Sequence, residues 1–403
     1  MQALDDLVVL DLSQHVAAPY ATKLMADYGA DVIKVERPGV GDVARSFGPF
    51  LGGEPDPEKS GLFFFLNTNK RSVALDLKSP DGRAAVAALA RKADAIVESF
   101  KPGTMERLGM GWDVLHLLNP HLSLISVSNF GQTGPYRDYR LTEVSLYGFA
   151  GEMYSMGLTH REPTKMAGTA ALFESGAAIA PALLGSILGN ALNGEGQHVD
   201  ISLAETHAGG VDRRHATAIG YQFSGRKTLR VAGGASGMPQ GIYPCADGYV
   251  DFTNAALRPD RIADMLGHAD WLNDPIYQDP QARFNAEVLE AWNANFFVWC
   301  LERTKREIWA EARRAKVMCG PMFTTQDLYE DDHFRGRGFW HTADHPAMGA
   351  VEFPGRPFIM QEGGWRLRRP APTLGQHTAE VLAETSLPAP LVARLVAAAG
   401  GAK

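Results

Sequence analysis

Short apolar runs alternate with helical patterns through the first half of the chain. Leu7-Val8-Val9-Leu10-Asp11-Leu12 has the length and β-branched content of a buried strand. Ala18 to Tyr28 carries helical spacing, and Asp31-Val32-Ile33-Lys34-Val35-Glu36 reads as the next strand. The cycle repeats: a strand over 72–77, a helix over 80–92, a strand over 95–99, a helical segment over 114–118 and a strand over 122–127. A long apolar helix is predicted over 175–192, broken by Gly194-Glu195-Gly196 ahead of a sixth strand over 198–203. Strands separated by helices of this length imply right-handed βαβ crossovers. The pattern therefore predicts an α/β fold built on a Rossmann-like, mostly parallel sheet.

The texture then changes. A glycine-rich stretch over 225–241 reads as a loop or linker, and Ile242 to Val250 reads as a hairpin turning at Asp247-Gly248. Helical segments are expected to Lys316, followed by strands punctuated by Pro and Gly as far as Met360. The expected organisation is a large domain over 1–224, a smaller α+β domain over 225–330, and a segment over 331–403 that rejoins the large domain.

Composition narrows the function. Hydrophobic residues make up 45% and charged residues 21%, which argues against extensive disorder. With 39 Lys+Arg against 46 Asp+Glu the net charge is −7, which excludes nucleic acid and anionic membrane as main partners. Three cysteines without a CxxC spacing suit a reduced compartment and no zinc cluster. The segment MQALDDLVVLDLSQ lacks the basic and long apolar regions of a secretory leader, and the expectation is a cytoplasmic protein with no membrane span.

The first βα turn, Ser13-Gln14-His15-Val16-Ala17-Ala18-Pro19, has no GxGxxG, which argues against a dinucleotide clamp. No HExxH, P-loop or GxSxG occurs, and His15 alone reads more readily as a structural residue than as a ligand. Cations flank the predicted strands, with Arg37 directly after the second, Lys70-Arg71 and Lys78 on either side of another and Arg107 after Ser99 to Gly103, and several lie at carboxyl ends. That is where open α/β sheets bind ligands, and cations there suit phosphates. A solvated, charged loop rim has the same pattern.

These residues sit in blocks that resemble the class III CoA-transferase family, whose members include formyl-CoA, carnitine and benzylsuccinate CoA-transferases and the α-methylacyl-CoA racemases. The blocks are VLDLSQHVAAPYATKLMADYGADVIKVERPGVGD, NTNKRSVALDLKSPDGR, ADAIVESFKPGTMERLGMGWD, LNPHLSLISVSNFGQTGPYRD and GEGQHVDISLAE, continued by GIYPCADGYV, CGPMFTTQDLYEDDHFRGRGFW, HPAMGAVEFPGRPF and APTLGQHTAEVL. The resemblance implies an interlocked dimer. It also implies coenzyme A, as acyl-CoA substrate rather than resident cofactor, lying across the carboxyl edge of the sheet. The positions it matches to CoA contacts are Gln14, Ala17, Arg37, Leu75, Lys78, Ser99, Phe100, Arg107 and Arg140. Arg37, Lys78, Arg107 and Arg140 would meet phosphates, and Leu75 and Phe100 would face the adenine. Ser99 stands where relatives commonly have Asn.

The catalytic position departs from the family. Relatives place an Asp four residues before a helix glycine; counting back from Gly176 puts Leu172 there. Leucine cannot form the acyl-aspartyl anhydride or aspartyl-CoA thioester of the family mechanism. Glu174 is the nearest carboxylate, but two residues are about 200° around a helix, so it is expected to point away. Gly233 to Gly237 resembles the family's mobile glycine loop, Glu143 matches a position usually acidic, and Tyr147, Tyr154 and Met156 lie in a segment that lines the acyl end in relatives. The resemblance implies a CoA-transferase acting on acyl-CoA and a carboxylic acid. The chain is expected to be the Asp-less subunit of a heteromer of the benzylsuccinate CoA-transferase type, with succinyl or a similar dicarboxylate as the acyl group. The alternatives are a self-sufficient homodimer using Glu174 or direct transfer, and a non-catalytic CoA-thioester-binding protein.

Overall fold

The computed structural model describes residues 1–210, 214–227, 238–253, 258–268, 270, 273, 279, 281 and 285–400. The chain divides into two units, one of residues 1–154, 165–228 and 338–403, the other of residues 155–164 and 229–337.

In the first unit, β1 (Val8–Asp11), β2 (Asp31–Glu36), β3 (Arg71–Ala74), β4 (Ala95–Glu98), β5 (Ser123–Ser128) and β6 (His198–Ser202) form one sheet in the order β3-β2-β1-β4-β5-β6. All five pairings are parallel. The order reverses between β1 and β4, the topological switch point at which such sheets bind ligands. The helices in chain order are α1 (Ala17–Asp27), α2 (Gly61–Asn67), α3 (Pro80–Ala90), α4 (Thr104–Arg107), α5 (Trp112–Leu118), α6 (Glu143–Phe149), α7 (Glu152–Ser155), α8 (Ala170–Asn193), α9 (Leu203–Gly210) and α10 (Arg214–Ser224).

Alternation along each strand splits the apolar residues between two cores. Val9, Val97, Ile125 and Val127 pack with α1, α2 and α8, whereas Leu10, Ile96 and Leu124 pack with α3, α5 and the helices Thr378–Ala383 and Ala389–Gly400. The later part of the chain reaches this unit through side chains: the Asn69 Oδ1 accepts the N–H groups of Arg368 at 2.6 Å and Arg369 at 3.2 Å. The hairpin of β10 (Trp340–His345) and β11 (Gly349–Pro354) belongs to the same unit.

The structure departs from the sequence pattern at three points. Helix α8 begins at Ala170, five residues before the predicted start, because Ala171 and Leu172 are buried and tertiary packing extends the first turn. Its 24 residues are long and apolar enough to cross a membrane, and half of its apolar window is buried inside the protein. The hairpin of the second unit, β7 (Gly241–Cys245) and β8 (Gly248–Phe252), pairs Cys245 with Gly248, so the turn is Ala246-Asp247 and not Asp247-Gly248. The Asp247 carboxylate accepts the N–H of Lys305 at 2.7 Å, which holds the turn in this register. Helices Thr325–Glu330 and Asp332–Gly336 stand where strands were expected, each started by a side-chain cap, Thr324 and Asp331.

Helix α8 crosses α1 at Gly176. A Cβ there would lie 2.5 Å from the Ala17 carbonyl oxygen and 3.0 Å from the Tyr20 ring, so only glycine lets the backbones approach this closely. Gly176→Ala should destabilise the protein by about 1–3 kcal/mol, read as a lower urea midpoint at unchanged slope. An unchanged midpoint would show that the two helices separate at no cost.

Candidate active site

The turn after β1 is built by buried charges instead of glycines. Asp11, fully buried at the end of β1, accepts from Lys70 Nζ at 2.9 Å, Thr22 Oγ1 at 2.7 Å and the Ser13 N–H at 3.0 Å. Lys34 Nζ, on β2, donates to the Ser13 carbonyl at 2.9 Å and pairs with Asp42 at 2.7 Å. Asp42 in turn accepts the His15 N–H at 2.9 Å, and His15 takes a left-handed φ of 73°. Burial opposes ionisation of Asp11, but Lys34 and Lys70 outweigh it and hold the carboxyl well below its usual range. Burial, reinforced by Lys34, pushes the Lys70 ammonium down to about 8 against the pull of Asp11. The network leaves the Gln14 N–H to the Ser99 hydroxyl at 2.9 Å, joining the loops after β1 and β4 across the switch point.

A cavity of about 230 Å³ opens at this junction. Of the residues expected at a CoA site, Gln14, Ala17, Ser99, Phe100 and Arg140 line it, together with Leu172. Lys101 and Arg137 also line it and were not singled out from the sequence, although both sit in loops that follow sheet strands. Four expected residues do not line it. Arg37 and Lys78 are exposed beyond β2 and β3, and Arg107, also exposed, borders a separate groove with Arg83. Leu75 is 2% exposed within the second core, so its side chain offers no surface to a ligand.

The early start of α8 puts both Leu172 and Glu174 on the helix. Leu172 faces the cavity, whereas the Glu174 carboxylate lies 3.2 Å from Nδ1 of the buried His207 on α9. The His207 ring packs edge-on against Tyr147 at 4.6 Å. Burial, with Glu174, Glu143 and Glu152 adding to it, pushes the Tyr147 hydroxyl up to about 12. Glu143 pairs with Lys165 at 2.7 Å, and Lys165 also donates to the carbonyls of Met166 and Gly168 at 2.7 Å each, which anchors the approach to α8. Tyr147 is fully buried and Tyr154 is exposed, while Met156 belongs to the second unit. The glycine stretch 233–237 lies outside the described residues.

The model of CoA-transferase family III matches residues 4–378. A succinate–glutarate CoA-transferase of Agrobacterium fabrum is 31% identical over 94% of this chain and 95% of its own length. A succinyl-CoA–D-citramalate CoA-transferase of Chloroflexus aurantiacus is 32% identical over 94% of this chain and 93% of its own. A formyl-CoA:oxalate CoA-transferase of Rhodopseudomonas palustris is 30% identical over 94% and 92%. Among solved structures, a CAIB/BAIF family protein from Brucella suis superposes with a TM-score of 0.82 at 28% identity, covering 95% of this chain and 99% of that one.

If the buried charges shape the first turn, Asp11→Ala should cost about 3–5 kcal/mol in urea unfolding, because Lys70 loses its buried carboxylate. A loss below about 1 kcal/mol, of the size that exposed ion pairs give, would remove the network from that role.

Proposed function

Because the chain belongs to CoA-transferase family III, we propose that it takes part in moving CoA from a thioester such as succinyl-CoA to an acceptor carboxylic acid, as the aspartate-less subunit of a heteromer. One observation carries this reading: the residue that α8 presents to the cavity is Leu172, and the carboxylate two positions on is turned away to His207. Asp138 at the cavity wall is exposed, with Arg137 3.7 Å away. In the family mechanism a carboxylate attacks the thioester carbonyl, giving a mixed anhydride and the CoA thiolate. The thiolate then displaces the donor acid to leave an enzyme–CoA thioester, from which the acceptor carboxylate takes its CoA by the same two steps reversed. Here a paralogous partner would bring that carboxylate. Gln14, Ala17, Ser99, Phe100 and Arg140 would hold the CoA thioester, with Lys101 and Arg137 as further cations. Arg37, Lys78 and Arg107 remain candidates for phosphates along the same sheet edge.

An exposed apolar stripe supports a partner of the same fold. Leu184, Leu188 and Leu192 recur every fourth residue on α8 at 39%, 60% and 76% exposure, the spacing of a face that another element covers. Reduced cysteines suit action in the cytoplasm. The likeness to succinate-using relatives supports a dicarboxylate donor.

The Glu174–His207 contact supports a second reading, in which a homodimer is self-sufficient with Glu174 as its nucleophile. Incubation of the purified chain with succinyl-CoA, followed by intact mass and peptide mapping, separates the two. The heteromer reading predicts CoA retained non-covalently and no adduct on the 163–176 peptide. Turnover by the complete heteromer should be unchanged in Glu174→Gln. An adduct on that peptide, lost in Glu174→Gln, would establish the homodimer instead.

A further inference from the structure

Carboxylates near the carboxyl ends of four sheet strands each accept a backbone N–H from a loop at that edge. Asp11 takes Ser13 at 3.0 Å, Glu36 takes Asp42 at 3.0 Å, Glu98 takes Phe100 at 2.7 Å, and Asp200 takes Gln132 at 2.8 Å. Cations match the first two: Lys70 lies 2.9 Å from Asp11, and Arg45 lies 2.7 Å from Glu36. Glu98 is different. It is 4% exposed, and among the described residues no cation pairs with it. Its neighbour across the sheet is Ser126 on β5, with Asp200 beyond it on β6, and Glu106 of α4 is the other charged group acting on it. Ser126, which stands opposite Glu98 in the sheet, lies 3.0 Å from Nε2 of His198.

We propose that Glu98 is a positioning residue for the CoA-binding loop and that the loop binds its polyanionic ligand with Glu98 protonated, so that binding takes up a proton wherever the free carboxyl is ionised. This rests on the reading that the cavity binds a CoA thioester. Glu98 lies directly beneath Ser99, Phe100 and Lys101, which line the cavity. A hydroxyl beside a carboxyl, such as that of Ser126, suits either charge state, because it donates to a carboxylate or accepts from the protonated acid. Glu98 Oε2 accepts the Phe100 N–H in both states, so the loop keeps its shape and only the charge beneath it changes. Burial, with Glu106 and Asp200 adding to it, pushes the Glu98 carboxyl up to about 7, which places this change near neutral pH. An arriving pyrophosphate raises its proton affinity further, because like charges in a partly dry site repel.

The sign follows. As pH rises through neutrality Glu98 acquires its charge, repels the ligand and weakens binding. The test is calorimetric titration of the purified full-length chain with 3′-dephospho-CoA, whose pyrophosphate does not titrate in this range. Two buffers of different ionisation heat, such as PIPES and Tris, report the protons taken up. The wild type should take up about half a proton per site at pH 7, where the free carboxyl is half protonated, and more as the pH rises toward 8, and its Kd should rise severalfold from about pH 6.5 to about pH 8.5. Glu98→Gln keeps an oxygen acceptor for the Phe100 N–H but carries no charge, so its proton uptake should vanish and its Kd stay flat. Binding by the wild type without proton uptake, or an unchanged pH profile in Glu98→Gln, overturns the inference and leaves CoA binding intact. Absence of nucleotide binding at every pH overturns the reading beneath it. If Glu98→Gln does not fold, the wild-type proton count stands as the test.

Discussion

Three buried charges at the carboxyl end of β1 set the geometry on which the rest of the site depends. Asp11, Lys34 and Lys70 come from β1, β2 and the residue before β3, so their hydrogen bonds tie neighbouring strand ends together as well as the turn between β1 and α1. Burying such groups carries a desolvation penalty, offset here by the opposite charges and the hydrogen bonds around Asp11 and Lys70. A dinucleotide fold solves the same turn with glycines whose N–H groups meet a phosphate. Here side chains occupy the backbone groups of the turn: the Ser13 carbonyl and the N–H groups of Ser13 and His15 are all taken. The cavity at this edge is lined by the next layer, Gln14 and Ala17 with the loops after β4 and β5.

The second constraint is the close crossing of α1 and α8. Gly176 brings the two helices within reach of a backbone carbonyl, and that contact fixes the rotation of α8. Once the rotation is fixed, Leu172 faces the cavity and Glu174 faces α9, since two helical residues differ by about 200°. A packing contact thus decides which α8 side chain faces the cavity. A carboxylate is present on the right helix and within one turn, yet it is directed into a cluster with His207 and Tyr147.

Charge along the sheet edge follows one rule with one exception. Carboxylates brace the loops, and buried cations neutralise those on β1 and β2. Toward β4 the neighbours become acidic or neutral, and cations appear instead on the cavity side of the loops, as Lys101, Arg137 and Arg140. An anionic ligand bound there as proposed would meet positive side chains in front and a titratable carboxyl behind.

The sheet was legible from the sequence because central parallel strands are buried on both faces and read as short continuous apolar runs. β2 was predicted over its observed length, Asp31–Glu36, and the others within a few residues. The family, too, was carried by ordered blocks of sequence, and the same resemblance sets Leu172 against the Asp of relatives. What the sequence left open is three-dimensional. The resemblance matches Leu75 to a CoA contact, but its side chain is enclosed by the second core, and α8 starts early because Ala171 and Leu172 are buried by neighbours distant in sequence. Nor does local spacing say which cations share a cavity: Arg140 does, while Arg107 faces another groove. Periodicity by itself determined that this is a parallel α/β protein, and the resemblance of ordered sequence blocks placed it in the CoA-transferase family. Only the tertiary structure decided which side chains meet, because helix rotation and burial are set by contacts between segments that the chain order does not place together.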